Sequence, residues 1–110
     1  MRDDKEWLLD ILEAIENIDT ESAKGRQAFE QDRMIQVWVV HHIQIIGEAA
    51  NRLSEPLRVQ YPDVPWADVV ALRNILVHHY FGVDLDEIWD TVQSDLPFLK
   101  VRVDRMVKDQ

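Results

Sequence analysis

Val37-Trp38-Val39-Val40-His41-His42-Ile43-Gln44-Ile45-Ile46-Gly47-Glu48-Ala49-Ala50 is the stretch whose reading decides the fold. Its β-branched opening, Val37 to Val40, would suit a strand, as would Val69-Val70 further on, because branched side chains pack well on a pleated surface. Length argues against a strand, and so does the helical spacing of the flanking residues. The pattern extends from about Arg26 to Leu53, with a break near Asp32. Val37, Val40, Gln44, Ile45 and Glu48 lie along one helical side, and Trp38, His41, Ile45 and Ala49 mark an adjoining one. Two faces this apolar imply neighbours on more than one side, within a bundle or in a second subunit.

Working outward, apolar residues recur at three- and four-residue intervals almost throughout, interrupted by only 3 Gly and 4 Pro. Leu8, Ile11, Leu12, Ile15 and Ile18, with Trp7 beside them, form the stripe of a first helix over about Asp4 to Thr20, capped by Asp3 or Asp4. Ser22 to Gly25 reads as a connection. Ser54 caps a short helix that Tyr61-Pro62 ends, and Pro65 opens another. Trp66, Val69, Val70, Leu72, Ile75, Leu76 and Val77 supply the apolar positions of that helix, and Gly82 stops it. Asp84 to Glu87 has the form of a capping box, after which Leu85, Ile88, Trp89, Val92, Leu96 and Leu99 continue the stripe of a last helix, kinked at Pro97 or restarted near Ser94. The expected architecture is all-α, an up-and-down bundle of four main helices plus a short extra one, forming a single domain over residues 1–110.

Composition narrows the function classes. The chain has 110 residues, 46% hydrophobic and 30% charged, so one core fits, and so small a chain often buries more of itself in an oligomer. With 0 cysteines, a disulfide framework, a thiolate metal site, an iron–sulfur cluster and a cysteine nucleophile are excluded together. The first residues lack the apolar core of a secretory signal and no apolar run approaches a membrane span, so the expected location is the cytoplasm, without a membrane partner. A net charge of −9 opposes indiscriminate nucleic-acid binding, duplex DNA included. The acid is unevenly placed: residues 1–24 carry −5, 25–53 carry 0, 54–82 carry −1 and 83–110 carry −3.

In Arg73-Asn74-Ile75-Leu76-Val77-His78-His79-Tyr80, polar groups of catalytic type interrupt an apolar helix end. Arginine is permanently cationic and suits a phosphate, and histidine moves a proton near neutral pH. Five residues apart, however, Arg73 and His78 stand about 140° apart on a regular helix. Their convergence requires the helix to end or distort near Val77, or a second copy to complete the site. In the competing reading Arg73 makes an ion pair between helices and His78 complements the helix C-terminus.

The spacing R-x-x-x-x-H-x-Y from Arg73 to Tyr80 resembles the signature of the HEPN superfamily, in particular its HepT-like toxins. The surrounding words resemble that family in the same order: Ile46-Gly47-Glu48-Ala49-Ala50, Tyr61-Pro62-Asp63-Val64-Pro65-Trp66, Tyr80-Phe81-Gly82-Val83-Asp84 and Asp95-Leu96-Pro97. The resemblance covers about two-thirds of the chain. It implies a ribonuclease that needs no metal or other cofactor. Arg73 and His78 would face their equivalents across a homodimer in a composite cleft, as the toxin of a type VII-like toxin–antitoxin pair. It also implies a minimal nucleotidyltransferase antitoxin that adenylylates Tyr80, with Asn74 orienting the phosphate or His78, or else serving as a packing amide. The alternative is a HEPN module that binds nucleotides or a partner without cleaving, and a purely structural dimeric scaffold is a third reading.

Glu48 is the one acid between Val37 and Ala50, and acids in apolar surroundings are normally paired. A bond to Arg73 or to a helix N-terminus is its expected role, with direct catalysis the alternative. His41-His42 invites a metal reading, but adjacent helical residues point about 100° apart and no H-E-x-x-H pattern accompanies them. Packing or a subunit contact is the expected role of that pair. Trp7, Trp38, Trp66 and Trp89 read as core or interface anchors. Lys100, Arg102, Arg105 and Lys108 read as a solvated helix face that could also guide RNA or meet an acidic partner.

Overall fold

Local capping chemistry sets most helix starts in the computed structural model, which describes residues 2–75 and 84–110. The Asp3 carboxylate accepts the Glu6 backbone N–H at 3.0 Å and opens α1, Asp4–Ser22. After Gly25, whose φ of +100° favours glycine, comes α2, Arg26–Gln31. Asp32 turns extended and accepts the Met34 N–H at 2.8 Å, so the long pattern is broken where its sequence suggests and α3 runs Arg33–Arg52. Ser54 caps α4, Glu55–Gln60, and α5 spans Trp66–Ala71. The Asp84 carboxylate accepts the Glu87 N–H and starts α6, Leu85–Asp90.

Two departures have physical causes. Between α6 and α7, Leu96–Asp109, the turns widen into a π-helical segment over Thr91–Asp95. Pro97, in the first turn of α7, can neither donate to the carbonyl four residues earlier nor fit its ring against it, and the wider turn relieves both problems. The helix opened by Pro65 is shorter than its apolar spacing suggests. It tightens into a 3₁₀ turn over Leu72–Asn74 and leaves helical geometry at Ile75, where φ is −65° and ψ 103°. The expected continuation through Val77 to a stop at Gly82 lies, beyond Ile75, outside the described residues.

Asp4 bonds Ser54 while Trp38 bonds Asn17, so α1 and α3 run antiparallel, and they form the largest helix pair. Between them Leu8, Ile11, Ile15 and Ile18 meet Val39, Ile43 and Ile46, all within 1% of full burial, and α7 adds Leu99, Val103 and Met106. Each large side chain so buried contributes about 1.5–3 kcal/mol. Phe29 against Trp89, ring centroids 5.3 Å apart, ties α2 to α6. The Asp4 carboxylate accepts both the backbone N–H of Ser54 at 2.8 Å and its hydroxyl at 2.6 Å, joining the starts of α1 and α4. All elements among the described residues are helical, as the periodicity requires.

Candidate active site

Arg73 occupies the middle of the 3₁₀ turn, and α3 holds that turn from one side. Gln44, Gly47 and Glu48 stand at spacings of three and four, so they share a helical face. Gly47 lies so close to the turn that a Cβ built on it would fall 2.2 Å from the Arg73 backbone nitrogen and 2.9 Å from its Cα. Only glycine admits this approach. The Gln44 side-chain amide donates to the Ile75 carbonyl, where the chain has left the helix, and the Ile75 N–H closes the turn by donating to Leu72 O at 3.1 Å.

Glu48 meets Arg73, with Oε2 3.7 Å from the guanidinium Nη1, so the expected pairing forms. It forms on the surface, not in an apolar interior: the Glu48 side chain is 46% exposed and that of Arg73 39%. The other carboxylate oxygen accepts from Nε of Arg52 at 3.0 Å. Two guanidiniums around one carboxylate leave a local charge of about +1 on an acidic protein, which suits an approaching phosphate. Asn74 is exposed on the same turn, so it is not an amide packed between helices. His78 and Tyr80 lie outside the described residues. The regular-helix geometry that separates Arg73 from His78 by 140° no longer applies, because the chain departs from it at Ile75.

Sequence reasoning overlooked Arg52, although its i, i+4 spacing from Glu48 is a standard helical pairing signal. The roles of Gln44 and Gly47 were also missed. A polar amide and a glycine inside an apolar run were the available clues.

The His41 and His42 rings meet edge to face, their centroids 5.1 Å apart. His42 is 8% exposed, packs edge-on against Trp38 at 4.5 Å, and lines a cavity of about 210 Å³ with Asp10, Glu13, Ala14, Asn17 and Ile45. Burial, reinforced by His41, holds its pKa below the ordinary imidazole value, with Glu13 opposing. No set of three or more His, Asp or Glu among the described residues is arranged to hold a metal ion. Trp66 donates to the Arg58 and Tyr61 carbonyls and acts as an internal anchor. Trp38, by contrast, is 43% exposed beside Met34, which is 75% exposed. Within the basic stretch, Arg102 is engaged with Asp63 at 2.9 Å and lies over the Phe98 ring.

Residues 11–106 match the family model described as Ribonuclease HepT-like. A Methanocaldococcus jannaschii protein named as a candidate RNase is 39% identical over 105 residues, 94% of this chain and 95% of that protein. A Thermococcus cleftensis protein provisionally named ribonuclease HepT is 36% identical over 110 residues, 97% of this chain and 98% of that protein. A Caldanaerobacter subterraneus protein, also named as a candidate RNase, is 30% identical over 112 residues, covering 100% of this chain and 99% of that protein. No solved structure gives a significant match.

Proposed function

The chain belongs to the HepT-like ribonuclease family, and on that premise we propose that it is a metal-independent endoribonuclease acting through Arg73 and His78 in the cytoplasm. The observation that carries this reading is the setting of Arg73: a half-exposed guanidinium on a turn seated against Gly47, with Glu48 neutralising only part of the local positive charge. A cation so placed can stabilise negative charge growing on a phosphorane.

The chemistry balances without a cofactor. His78 takes the proton of a ribose 2′-hydroxyl, whose oxygen attacks the adjacent phosphorus. The bond from phosphorus to the 5′-oxygen breaks, the leaving oxygen takes a proton from water, and His78 returns to solvent the proton it accepted, so no net proton is gained or lost. The products are a 2′,3′-cyclic phosphate and a 5′-hydroxyl. Arg73 binds the phosphate and stabilises its added charge, and Asn74, exposed on the same turn, orients it.

Two copies of the chain complete the cleft. The outer side of α3 supplies a contact surface, with Met34, Trp38 and His41 exposed in the same helix that holds the Arg73 turn. The protein is the toxin of a pair whose nucleotidyltransferase partner attaches AMP to Tyr80. The added bulk and negative charge, seven residues from Arg73, repel an RNA phosphate.

The test is incubation of purified protein with cellular RNA in excess chelator, comparing wild type with Arg73→Ala and His78→Ala. Cleavage by wild type and its loss in both folded variants is the expected result. Absence of cleavage by wild type, or full activity in both variants, overturns the reading. Coexpression with the nucleotidyltransferase should add one AMP mass at Tyr80 and silence cleavage; unmodified Tyr80 would remove that regulation.

A further inference from the structure

We propose that Gln44 is a positioning residue that holds the end of helical geometry at Ile75 and thereby sets Arg73 for the reaction; the proposal rests on the ribonuclease reading above. Gln44 is a long polar side chain flanked in α3 by Ile43, Ile45 and Ile46, and it is partly buried. Ordering such a side chain costs conformational entropy, so its fixed geometry needs a compensating bond. Its amide supplies one by donating to the Ile75 carbonyl. Carbonyls at a helix end have no partner within the helix, and this one is satisfied from α3.

The consequence concerns where the helix stops. Leu72, Ile75, Leu76 and Val77 have the spacing of a continuing helix, and no glycine or proline interrupts residues 66–81. Local sequence therefore favours propagation past Ile75, and a continuing helix would restore the 140° separation of Arg73 and His78. What opposes propagation at this point is tertiary. Gly47 seats the Arg73 backbone, Glu48 takes the guanidinium, and Gln44 captures the carbonyl of the first residue with extended ψ. Gln44 touches no reacting group in this scheme. It acts by keeping Arg73 on a turn that ends instead of on a helix that continues.

Two variants test this. Gln44→Met keeps the length of the side chain but cannot donate, and Gln44→Glu donates only when protonated. For Gln44→Met, kcat on a defined RNA should fall about tenfold or more with KM within about twofold of wild type, as expected when geometry and not binding is lost. Its Ile75 Cα chemical shift should move from the extended towards the helical value. For Gln44→Glu, the ratio of its kcat to that of wild type at each pH should rise as pH falls towards the carboxyl range of about 4–5. A merely structural role would not produce that rise. An Ile75 shift unchanged in Gln44→Met, or unchanged kcat despite a shifted Ile75, overturns the proposal. Should wild type cleave no RNA, the ribonuclease reading fails on its own and positioning for catalysis falls with it; the Ile75 shift then decides whether Gln44 holds the helix end.

Discussion

Gly47→Ala adds one methyl group at the closest approach in the site. Its Cβ would meet the Arg73 nitrogen at 2.2 Å, where 3.4 Å begins ordinary contact, so the turn must retreat by about 1.2 Å. The obstacle is backbone, and no side-chain rotation relieves it. Overpacking of this kind costs about 1–3 kcal/mol. Against it stands a gain of about 1 kcal/mol, because alanine is the better residue in a helix interior. Taking the upper end of the cost for a backbone clash, the net loss is about 2 kcal/mol. With a urea slope of about 1–3 kcal/mol per molar, that lowers the midpoint by about 1 M. Displacing Arg73 by about 1 Å should lower cleavage by about 100-fold. Urea unfolding followed by circular dichroism reads the first number and RNA cleavage the second. A variant as stable as wild type or more so, with full activity, would refute the close seating of the Arg73 turn on α3.

Glu48→Gln should change stability by less than about 1 kcal/mol, because both its ion pairs are substantially exposed. It also raises the local charge from about +1 to about +2, so RNA binding should tighten and depend more steeply on salt; an unchanged salt slope would count against Arg73 facing the phosphate. Asp4→Ala removes two short bonds to Ser54 and should cost about 2 kcal/mol in chemical denaturation, whereas a loss near zero would show that α4 is not tied to α1 by this carboxylate. His42 has a folded pKa below its unfolded value, so the unfolded state binds more protons in acid. Its contribution is therefore full above about pH 6.5 and is lost as pH falls through the unfolded pKa towards the folded one. His42→Phe should flatten the fall in stability between about pH 7 and pH 5, which pH-dependent urea melts would reveal.

Features governed by local chemistry were legible in the sequence. Asp3, Ser54 and Asp84 cap helices because a short acceptor precedes a free N–H, and Asp32 breaks the long pattern for the same reason. The irregularity before Pro97 follows from its missing donor, though periodicity alone does not distinguish a kink from the π-helical widening that occurs. The end of α5 was hidden because its apolar spacing continues, while the elements that stop the helix come from a residue thirty-one positions earlier, Gln44, and from a glycine whose purpose is space. Of the two partners the sequence offers Glu48, Arg73 or a helix N-terminus, Arg73 is the one it meets, in a more exposed setting than its apolar neighbours suggest. Its neighbours in sequence are buried while it faces outward, towards Arg52 and the turn.

The central claim is 2′-hydroxyl attack at a phosphate held by Arg73. Its most direct test is a defined RNA whose cleavage site is mapped, compared in excess chelator with the same RNA carrying a single 2′-deoxy substitution at that site. The account predicts a 2′,3′-cyclic phosphate and a 5′-hydroxyl from the first, no cleavage at the substituted position in the second, and neither product with Arg73→Ala. Cleavage across the 2′-deoxy position, or products ending in a 5′-phosphate, would contradict it.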